Sequence, residues 1–508
     1  MRSTLNSGPS KCAFGENMTA QLTPQFQYFS GYGKLNNEVI NTYTSNGTVT
    51  SAAGIVSVGI NTTNGAYSIM QSKRHITYNP GQGGLARFTC AFNSGIASST
   101  QLAGVGNSFN GFFFGYNGTT FGILRRYGGL PEIRKMTITT GATGSATVAI
   151  TLNGTQITVA VTNSTTTPAF TAYQIATSGR TSFLNAGWLV ENNGADIIWT
   201  NLFDGSKAGS YSVNWSYSGS SGISATTTNF TATLVAGVSA TNSWITQTSW
   251  KYDSMNGLGP SKMTLDPTKL NVYQIEWQYL GAGKLFFSVE DNDSNTTGFQ
   301  IVHSVDYPNT YTVPSLQNPN LRMYYGVISG GSTTSMTLNM VSFGGFTEGI
   351  IRRFEPRYAI TSSKQGITTP EKTLFVLRNG NLFNNVFNCS EILLTSLSVA
   401  TYNGSTNITL KLYLANSGTT TYGTSNSDYV NFANVDVNNS VALYDTTNST
   451  VANGLLIYSF TLQKADSFRL DFTNYNVFLA PGDELSLTAV TDGNAFNVNT
   501  SISWIEIQ

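Results

Sequence analysis

Carboxylates and histidines are the residues that could carry acid–base chemistry, and the chain has few of them. Its 508 residues include 12 glutamates and two histidines. Glu276 and Glu290 lie on neighbouring predicted strands and could form the carboxylate pair of a glycoside hydrolase. Sandwich glycosidases often place two acids on one strand with an aspartate between them, and no E-x-D-x-x-E run occurs here. We therefore expect no enzyme at this site.

The residue types that bind metals also lack the spacing that metal sites need. His75 and His303 have no ligand spacing and no Ser/Asp or Cys/Asn motif nearby; we expect His75 at the surface and His303 within a strand. The run Asp291–Asn295 begins with the oxygen spacing of a calcium loop, but it lacks the glycine and the distal glutamate of an EF-hand. A hairpin turn is the favoured interpretation of this run.

Cysteine chemistry is not indicated either. Cys12, Cys90 and Cys389 are an odd, widely spaced set, which gives neither a disulfide framework nor a CxxC metal motif. Cys90 lies in an apolar run and is expected to be a small buried residue. Walker, dinucleotide-binding, HExxH and GxSxG motifs are absent from the sequence. We expect no catalytic residues, no metal and no cofactor.

Aromatic side chains are the remaining candidates for recognition chemistry. If exposed, they could stack on sugar rings or contact a partner, and the candidates are Tyr116, Trp188, Trp215, Trp244 and Trp250. For each of them, packing in the core or at an interface is the alternative interpretation.

Composition narrows the class of protein. The 26 Lys+Arg balance the 26 Asp+Glu, and charged residues make up only 10% of the chain, against about 25% in an average soluble protein. A neutral chain does not suit nucleic-acid binding, which needs a basic patch. No stretch reaches the roughly 18 apolar residues of a membrane span. The 40% hydrophobic content excludes disorder for the bulk of the chain.

The elements that must position these residues are mainly strands. Short apolar or alternating runs lie between Gly, Ser, Thr and Asn, which is typical of many strands joined by tight turns. Residues 111–116 and 120–126 predict a hairpin around Asn117–Gly118. Residues 272–279 alternate apolar and polar side chains and return after Gly281–Gly283 as 285–290.

The pattern predicts a discontinuous domain organisation. Residues 1–65 are interpreted as an N-terminal arm, and residues 66–140 together with 265–350 as one β-sandwich, since neither half has enough strands to cover its apolar face. Residues 141–264 read as an inserted α+β module. It has a hairpin at Asn153–Gly154 and a helix from Pro168 to Ser182.

The C-terminal part is predicted to be a separate domain. A charged segment with Gly366 and Pro370 at 351–372 is interpreted as a linker, or alternatively as a docking segment. Closely spaced strand candidates at 373–508 suit a jelly-roll β-sandwich. Ile502 and Trp504 fall on one face of the last strand, and we expect that face to be buried.

Three long segments carry a resemblance to known proteins. They are TYNPGQGGLARFT at 77–89, FFFGYNGTTFGILRR at 112–126, and LDPTKLNVYQI at 265–275, which continues to Gly281. Over about residues 10–350 the chain resembles a family of virion structural proteins of large double-stranded DNA viruses and tailed phages. The resemblance implies a concanavalin/laminin-G-like sandwich and brings no catalytic residues; the last 135 residues are similar in style to jelly rolls of fibres and capsids.

These observations support a structural role in a virus particle. We expect a minor capsid, vertex, spike or fibre protein that is located in the virion, packs against other virion proteins and forms homo-oligomers. Neither nucleic-acid binding nor membrane insertion is expected. The alternative is a lectin-like protein that binds a receptor or host surface glycan at the virion surface. A secreted polysaccharide enzyme is a third hypothesis, which would require activity that is lost on Glu276→Gln.

Overall fold

The computed structural model describes most of the chain. The described residues are 21–162, 167–217, 222–226, 230, 233–278, 280–292, 298–351, 355–402, 407–415, 430–448, 454–463, 465–473, 475, 477–491 and 493–507. Within them, no helix is long and apolar enough to cross a membrane.

Strands dominate every part of the described chain. Before the helix they are β1 (Leu22–Phe29), β2 (Ile40–Ser45), β3 (Gly47–Ala52), β4 (Ile55–Ile60), β5 (Tyr67–Ser72), β6 (Gly83–Cys90), β7 (Ser99–Gly106), β8 (Gly111–Asn117), β9 (Thr120–Tyr127), β10 (Pro131–Thr140), β11 (Ala146–Leu152) and β12 (Thr155–Val161). The helix α1 spans Pro168–Asn185, and a 3-10 turn spans Gln247–Ser249. After α1 come β13 (Trp188–Asn193), β14 (Asp196–Asp204), β15 (Ser212–Tyr217), β16 (Ser224–Thr226), β17 (Thr241–Thr246), β18 (Asn271–Gln278), β19 (Leu285–Glu290), β20 (Phe299–Val305), β21 (Met323–Ser329), β22 (Met336–Met340) and β23 (Ser342–Glu348).

The C-terminal part adds a further set of strands. They are β24 (Arg357–Ile367), β25 (Lys372–Asn379), β26 (Leu382–Phe383), β27 (Val386–Phe387), β28 (Glu391–Tyr402), β29 (Ile408–Ala415), β30 (Ala433–Asn434), β31 (Ala442–Asp445), β32 (Leu455–Leu462), β33 (Ser467–Asp471), β34 (Phe478–Leu479), β35 (Glu484–Thr491) and β36 (Phe496–Ile507).

Two large antiparallel sheets form the first β-sandwich, which we call the sandwich. One has the order β1-β23-β6-β18-β19-β20 and the other β17-β9-β8-β7-β21-β5-β2, with a smaller sheet β22-β4-β3 beside them. Phe114 of β8 and Tyr273 of β18 are buried with ring centroids 4.7 Å apart, so the two sheets pack face to face. This is a concanavalin-like β-sandwich. Its sheets combine strands from both sides of the insert, since β18 pairs with β6.

Local predictions within the sandwich are confirmed. The strands β8 and β9 pair around Asn117–Gly118, and Gly118 has φ +59°, the conformation that this tight turn requires. Cys90 is fully buried in the core.

The predicted N-terminal arm over residues 1–65 is wrong for its described part. Strand β1 pairs with β23 at the edge of the six-stranded sheet, β2 pairs with β5, and β3–β4 form the third sheet with β22. Val56 and Val58 are fully buried. The strands β1 and β4 belong to the sandwich because they pair with β23 and β22, which lie more than 250 residues later in the chain.

The insert is a four-stranded sheet, β13-β14-β10-β16, and a three-stranded sheet, β12-β11-β15, packed with α1 around one core. The predicted helix is confirmed, with Pro168 in its first turn. The boundaries predicted at 141 and 264 differ from the structure. Strand β10, before residue 141, belongs to the insert, whereas β17, before residue 264, pairs with β9 of the sandwich.

The C-terminal part is a jelly-roll β-sandwich, which we call the C-terminal sandwich. One sheet has the order β24-β36-β28-β33, with β34 on β28, and the other is β30-β31-β25-β35-β29-β32. The predicted inward face is confirmed, because Ile502 and Trp504 are fully buried. The predicted linker at 351–372 is largely strand: β24 pairs with β36 along its length.

Candidate functional site

A contiguous basic segment connects the sandwich to the C-terminal sandwich. Lys73–His75 leaves the seven-stranded sheet at the end of β5. Lys73 Nζ lies 3.2 Å from Asp483 Oδ1, and Arg74 Nε lies 3.1 Å from Glu391 Oε2. The backbone N–H of His75 donates to Glu391 Oε1 at 2.7 Å. We call these five residues the joint, and four of them are buried while Arg74 is partly exposed.

His75 is therefore not at the surface, and that prediction is wrong. Its Nε2 accepts a hydrogen bond from Arg322 Nε at 2.6 Å, which requires an unprotonated nitrogen. Burial and the neighbouring charge of Arg322 lower the pKa of His75 to about 4. The imidazole is thus neutral at pH 7 and acts as an acceptor within the joint.

The two joint carboxylates have pKa values displaced in opposite directions. Burial raises the pKa of Glu391, but Arg74 and the hydrogen bonds from His75 outweigh burial and bring that pKa to about 2. For Asp483 burial prevails over the attraction of Lys73, and its pKa rises to about 6. Glu391 is thus a strongly stabilised anion, whereas Asp483 is a buried anion that Lys73 and the backbone N–H of Ala480 compensate only in part.

The insert contacts the C-terminal sandwich beside a second buried charge pair, which itself lies within the C-terminal sandwich, between β25 and β35. Arg378 Nε donates to Glu484 Oε1 at 2.6 Å, and the Arg378 guanidinium lies 3.9 Å from the centre of the Phe432 ring. Glu191 of the insert accepts hydrogen bonds from the backbone and side chain of Asn381. An apolar cluster accompanies these contacts: Phe170, Tyr173, Val376, Val430, Phe432 and Leu443.

These charged contacts lie where the sandwich and the insert meet the C-terminal sandwich, and their role is structural. Their carboxylates face protein donors, and the described residues contain no group of three or more His, Cys, Asp or Glu side chains that could hold a metal ion. The arrangement provides no nucleophile beside a general base. Its chemistry is that of buried, hydrogen-bonded ion pairs, two of which join the sandwich to the C-terminal sandwich.

Three of the five predicted aromatic contacts are buried within the chain. Tyr116 and Trp250 lie in the sandwich core, and Trp188 is fully buried in the insert core. The interpretation of these three as exposed sugar-stacking groups is wrong, because their rings are covered by neighbouring side chains such as Phe114, whose centroid is 6.1 Å from that of Trp250.

The other two aromatic candidates are partly exposed and lie in different sheets. Trp215 lies on β15, at the edge of the three-stranded sheet of the insert, and Trp244 lies on β17, at the edge of the seven-stranded sheet. The structure therefore does not bring the five residues together in one aromatic patch. Trp215 and Trp244 stay separate candidates for partner contact.

The candidate carboxylate pair is separated by the strand register. Glu276 lies opposite Phe286, whereas Glu290 lies one residue beyond the Tyr273–Val289 pair. The two residues are thus four positions apart along the sheet, roughly 13 Å at 3.3 Å per residue. Glycosidase carboxyl groups lie about 5–9.5 Å apart, so this geometry does not suit the reaction.

The remaining candidate residues are His303, the run Asp291–Asn295, and two of the cysteines. His303 lies in β20 as predicted, with a pKa lowered to about 4 by burial. Asp291 donates its backbone N–H to Gly298 at 3.1 Å, while Asp293–Asn295 lie outside the described residues, as does Cys12. Cys389 is half-buried, and burial raises the pKa of its thiol.

Sequence reasoning missed the joint because its members are scattered. Lys73 and Asp483 are separated by 410 residues, and Arg74 and Glu391 by 317. The only local signal was the Lys-Arg-His run itself, placed directly after an apolar strand in a chain with little charge.

Comparison with known proteins does not assign the chain to a family. No family model matches the chain, and no curated protein matches it. Among solved structures, the lectin-like defence protein arcelin-5 of Phaseolus vulgaris is 10% identical with a TM-score of 0.23, covering 66% of this chain and all of its own. Peanut lectin is 10% identical with a TM-score of 0.25 over the same shares. A protein of the T13 IBDV viral particle is 8% identical with a TM-score of 0.18, covering 84% of this chain and 71% of its own.

Proposed function

We propose that the protein is a structural component of a virus particle, a minor capsid, vertex, spike or fibre protein, and that it acts through packing against copies of itself and other virion proteins. The observation that supports this most directly is an exposed apolar strand, β32, at the edge of the C-terminal sandwich. We propose no enzymatic role, no nucleic-acid partner and no membrane insertion.

The edge strand β32 has the features of a pairing surface. It is the last strand of its six-stranded sheet, and among the described residues it pairs with β29 alone. Leu455 and Leu456 are 52% and 47% exposed. Natural monomers protect such edges with charges, prolines or covering segments, since an open apolar edge can add a strand from another chain.

A partly exposed aromatic cluster extends this surface. Tyr458 and Phe460 of β32 lie against Phe468, and the rings of Phe460 and Phe468 are 4.3 Å apart. All three are only partly buried by the chain itself. Covering such a surface in an assembly removes apolar area from water at about 25 cal/mol per Å².

Exposed apolar side chains also occur in the sandwich, at the end of β1 and in loops. Phe29 and Tyr32 form an exposed aromatic pair, and Leu280 and Ile350 are 73% and 76% exposed. With charged residues at only 10% of the chain, such a surface suits a protein that works inside an assembly rather than alone.

The test is the position and contacts of the chain in purified particles. We expect a particle map to contain the chain with more than about 1,000 Å² buried at each specific contact. Leu456→Glu should reduce self-association or incorporation into particles, and Thr119→Glu, at an exposed position of the β8–β9 turn outside the C-terminal sandwich, serves as the matched control. A protein that is absent from particles and monodisperse as a monomer would contradict the proposal.

A lectin-like role at the virion surface is the second candidate, favoured by one feature of the C-terminal sandwich. The outer face of the β24-β36-β28-β33 sheet holds an open cavity of about 550 Å³, lined by short hydroxyl side chains and one arginine, among them Thr361, Ser363, Ser398, Ser501 and Arg469. Hydroxyl and guanidinium groups hydrogen-bond to sugar hydroxyls. A glycan array probed with the full chain tests this role, and an array without hits would exclude it.

A further inference from the structure

A cavity of about 140 Å³ lies where the three parts of the chain meet. The sandwich contributes Asn41–Tyr43 from β2, the insert contributes residues of α1 and β13, and the C-terminal sandwich contributes Arg378 and Glu484 among others. The volume corresponds to roughly four or five water molecules at 30 Å³ each. It suits a small polar ligand rather than a drug-sized molecule.

The cavity lining contains hydrogen-bonding groups that the described residues leave without partners. Arg180 Nε, Arg378 Nη1 and Trp188 Nε1 are buried donors with no acceptor, and Glu484 Oε2 is a buried acceptor with no donor. Arg378 is 5% exposed and Trp188 is fully buried. Buried polar atoms are ordinarily paired, so this concentration around one cavity calls for a ligand or ordered water.

The charged groups around the cavity indicate what kind of ligand it would bind. The guanidinium of Arg378 is already paired with Glu484. Arg180, half-buried on α1, forms no hydrogen bond or ion pair with any described residue. Burial, and then the charge of Arg378, lower the pKa of Arg180. The charges of Glu484 and Glu191 act in the opposite direction on this pKa, but neither carboxylate forms a hydrogen bond with Arg180: Glu484 accepts from Arg378, and Glu191 accepts from Asn381. An unpaired cation in such a place is stabilised most by an anion.

We propose that this cavity binds a small oxyanion, either a carboxylate or a phosphate, between Arg180 and Arg378. Guanidinium groups present N–H donors in a planar fork that matches the oxygens of both kinds of anion. Trp188 Nε1–H offers a further donor, and Glu484 accepts from a ligand hydroxyl. The site goes beyond the proposed role in the particle. Its occupant would contact all three parts of the chain.

The experiment measures anion binding to the full chain. Calorimetry and thermal unfolding are carried out with sodium phosphate, acetate and glucuronate at constant ionic strength, with chloride and glucose as reference solutes. We expect one saturable site for an oxyanion and none for glucose. Phosphate and the carboxylates are separate arms, so the stronger binder identifies the source of the oxyanion.

Two arginine variants decide whether the binding belongs to this cavity. Arg180→Met removes a charge-assisted donor and should weaken binding roughly ten- to hundredfold. It should leave the fold intact because Arg180 pairs with no described residue. Arg357→Met removes an exposed arginine at the start of β24, outside this cavity, and should leave the affinity unchanged.

The proposal is overturned in either of two cases. Absence of saturable binding in the millimolar range would mean that water alone fills the cavity. Equal affinities of the wild type and Arg180→Met would mean an adventitious ion bound elsewhere. Particle incorporation is measured separately, so failure here does not affect the proposed structural role, nor the reverse.

Discussion

Replacing His75 by glutamine should change the pH dependence of stability in a defined direction. Glutamine retains a carbonyl oxygen that can accept the 2.6 Å hydrogen bond from Arg322, but it cannot titrate. A histidine with a lowered folded-state pKa binds its proton less readily when folded than when unfolded. Its contribution to stability is therefore complete above pH 6.5 and is lost as the pH falls towards 4.

The size of the expected stability change follows from the pKa shifts that burial causes in the joint. The pKa of His75 falls from 6.5 to about 4, which at 1.36 kcal/mol per unit is roughly 3 kcal/mol. Asp483 acts in the opposite sense: its pKa rises from 3.8 to about 6, so its protonation adds roughly 3 kcal/mol as the pH falls through the same window. The contributions of His75 and Asp483 to stability thus largely offset each other in the wild type between pH 6 and 4.

The assay is urea unfolding of the wild type and His75→Gln at several pH values, followed by signals of each part, because a chain with three parts need not unfold in one step. The variant should gain roughly 3 kcal/mol relative to the wild type between pH 6.5 and 4. Subtracting the wild-type free energy of unfolding from that of the variant at each pH removes the contributions of the other titratable groups. His303→Gln is the control: His303 is buried outside the joint, so its effect should not reach the C-terminal sandwich. A variant-minus-wild-type difference that does not change with pH would refute the reasoning.

Three further outcomes are expected. Trp504→Ala should destabilise the C-terminal sandwich by about 3–5 kcal/mol in denaturant unfolding, since the indole is fully buried; a loss below about 1 kcal/mol would show that the face is not buried. Gly115→Ala should cost about 1–3 kcal/mol, because an added Cβ would lie 1.9 Å from the Gln101 carbonyl oxygen; Gly144→Ala, which meets nothing within 4 Å, should be near neutral. Limited proteolysis within the insert should leave residues 66–140 and 265–350 associated; recovery of two independently folded fragments would contradict the shared sheets.

Local structure was predictable because its causes lie within a few residues of one another. Alternating side chains and turn residues predicted the β8–β9 hairpin, Pro168 and the apolar spacing after it predicted α1, and alternation at Ile502 and Trp504 predicted their burial. Short apolar or alternating runs between Gly, Ser, Thr and Asn predicted a mainly β chain. None of these inferences required knowledge of which strands are neighbours in a sheet.

The tertiary structure alone decided what depends on distant pairs. Strand β1 looked like part of an arm until its partner β23 was known, and Trp188 and Trp250 looked like candidate contacts until neighbouring elements covered them. The joint is the clearest case, since Lys73 finds Asp483 across 410 residues. A lysine beside an arginine and a histidine has the same local pattern whether it faces water or a carboxylate. Only the packing of one sandwich against the other sets its partner, its burial and the pKa values that follow.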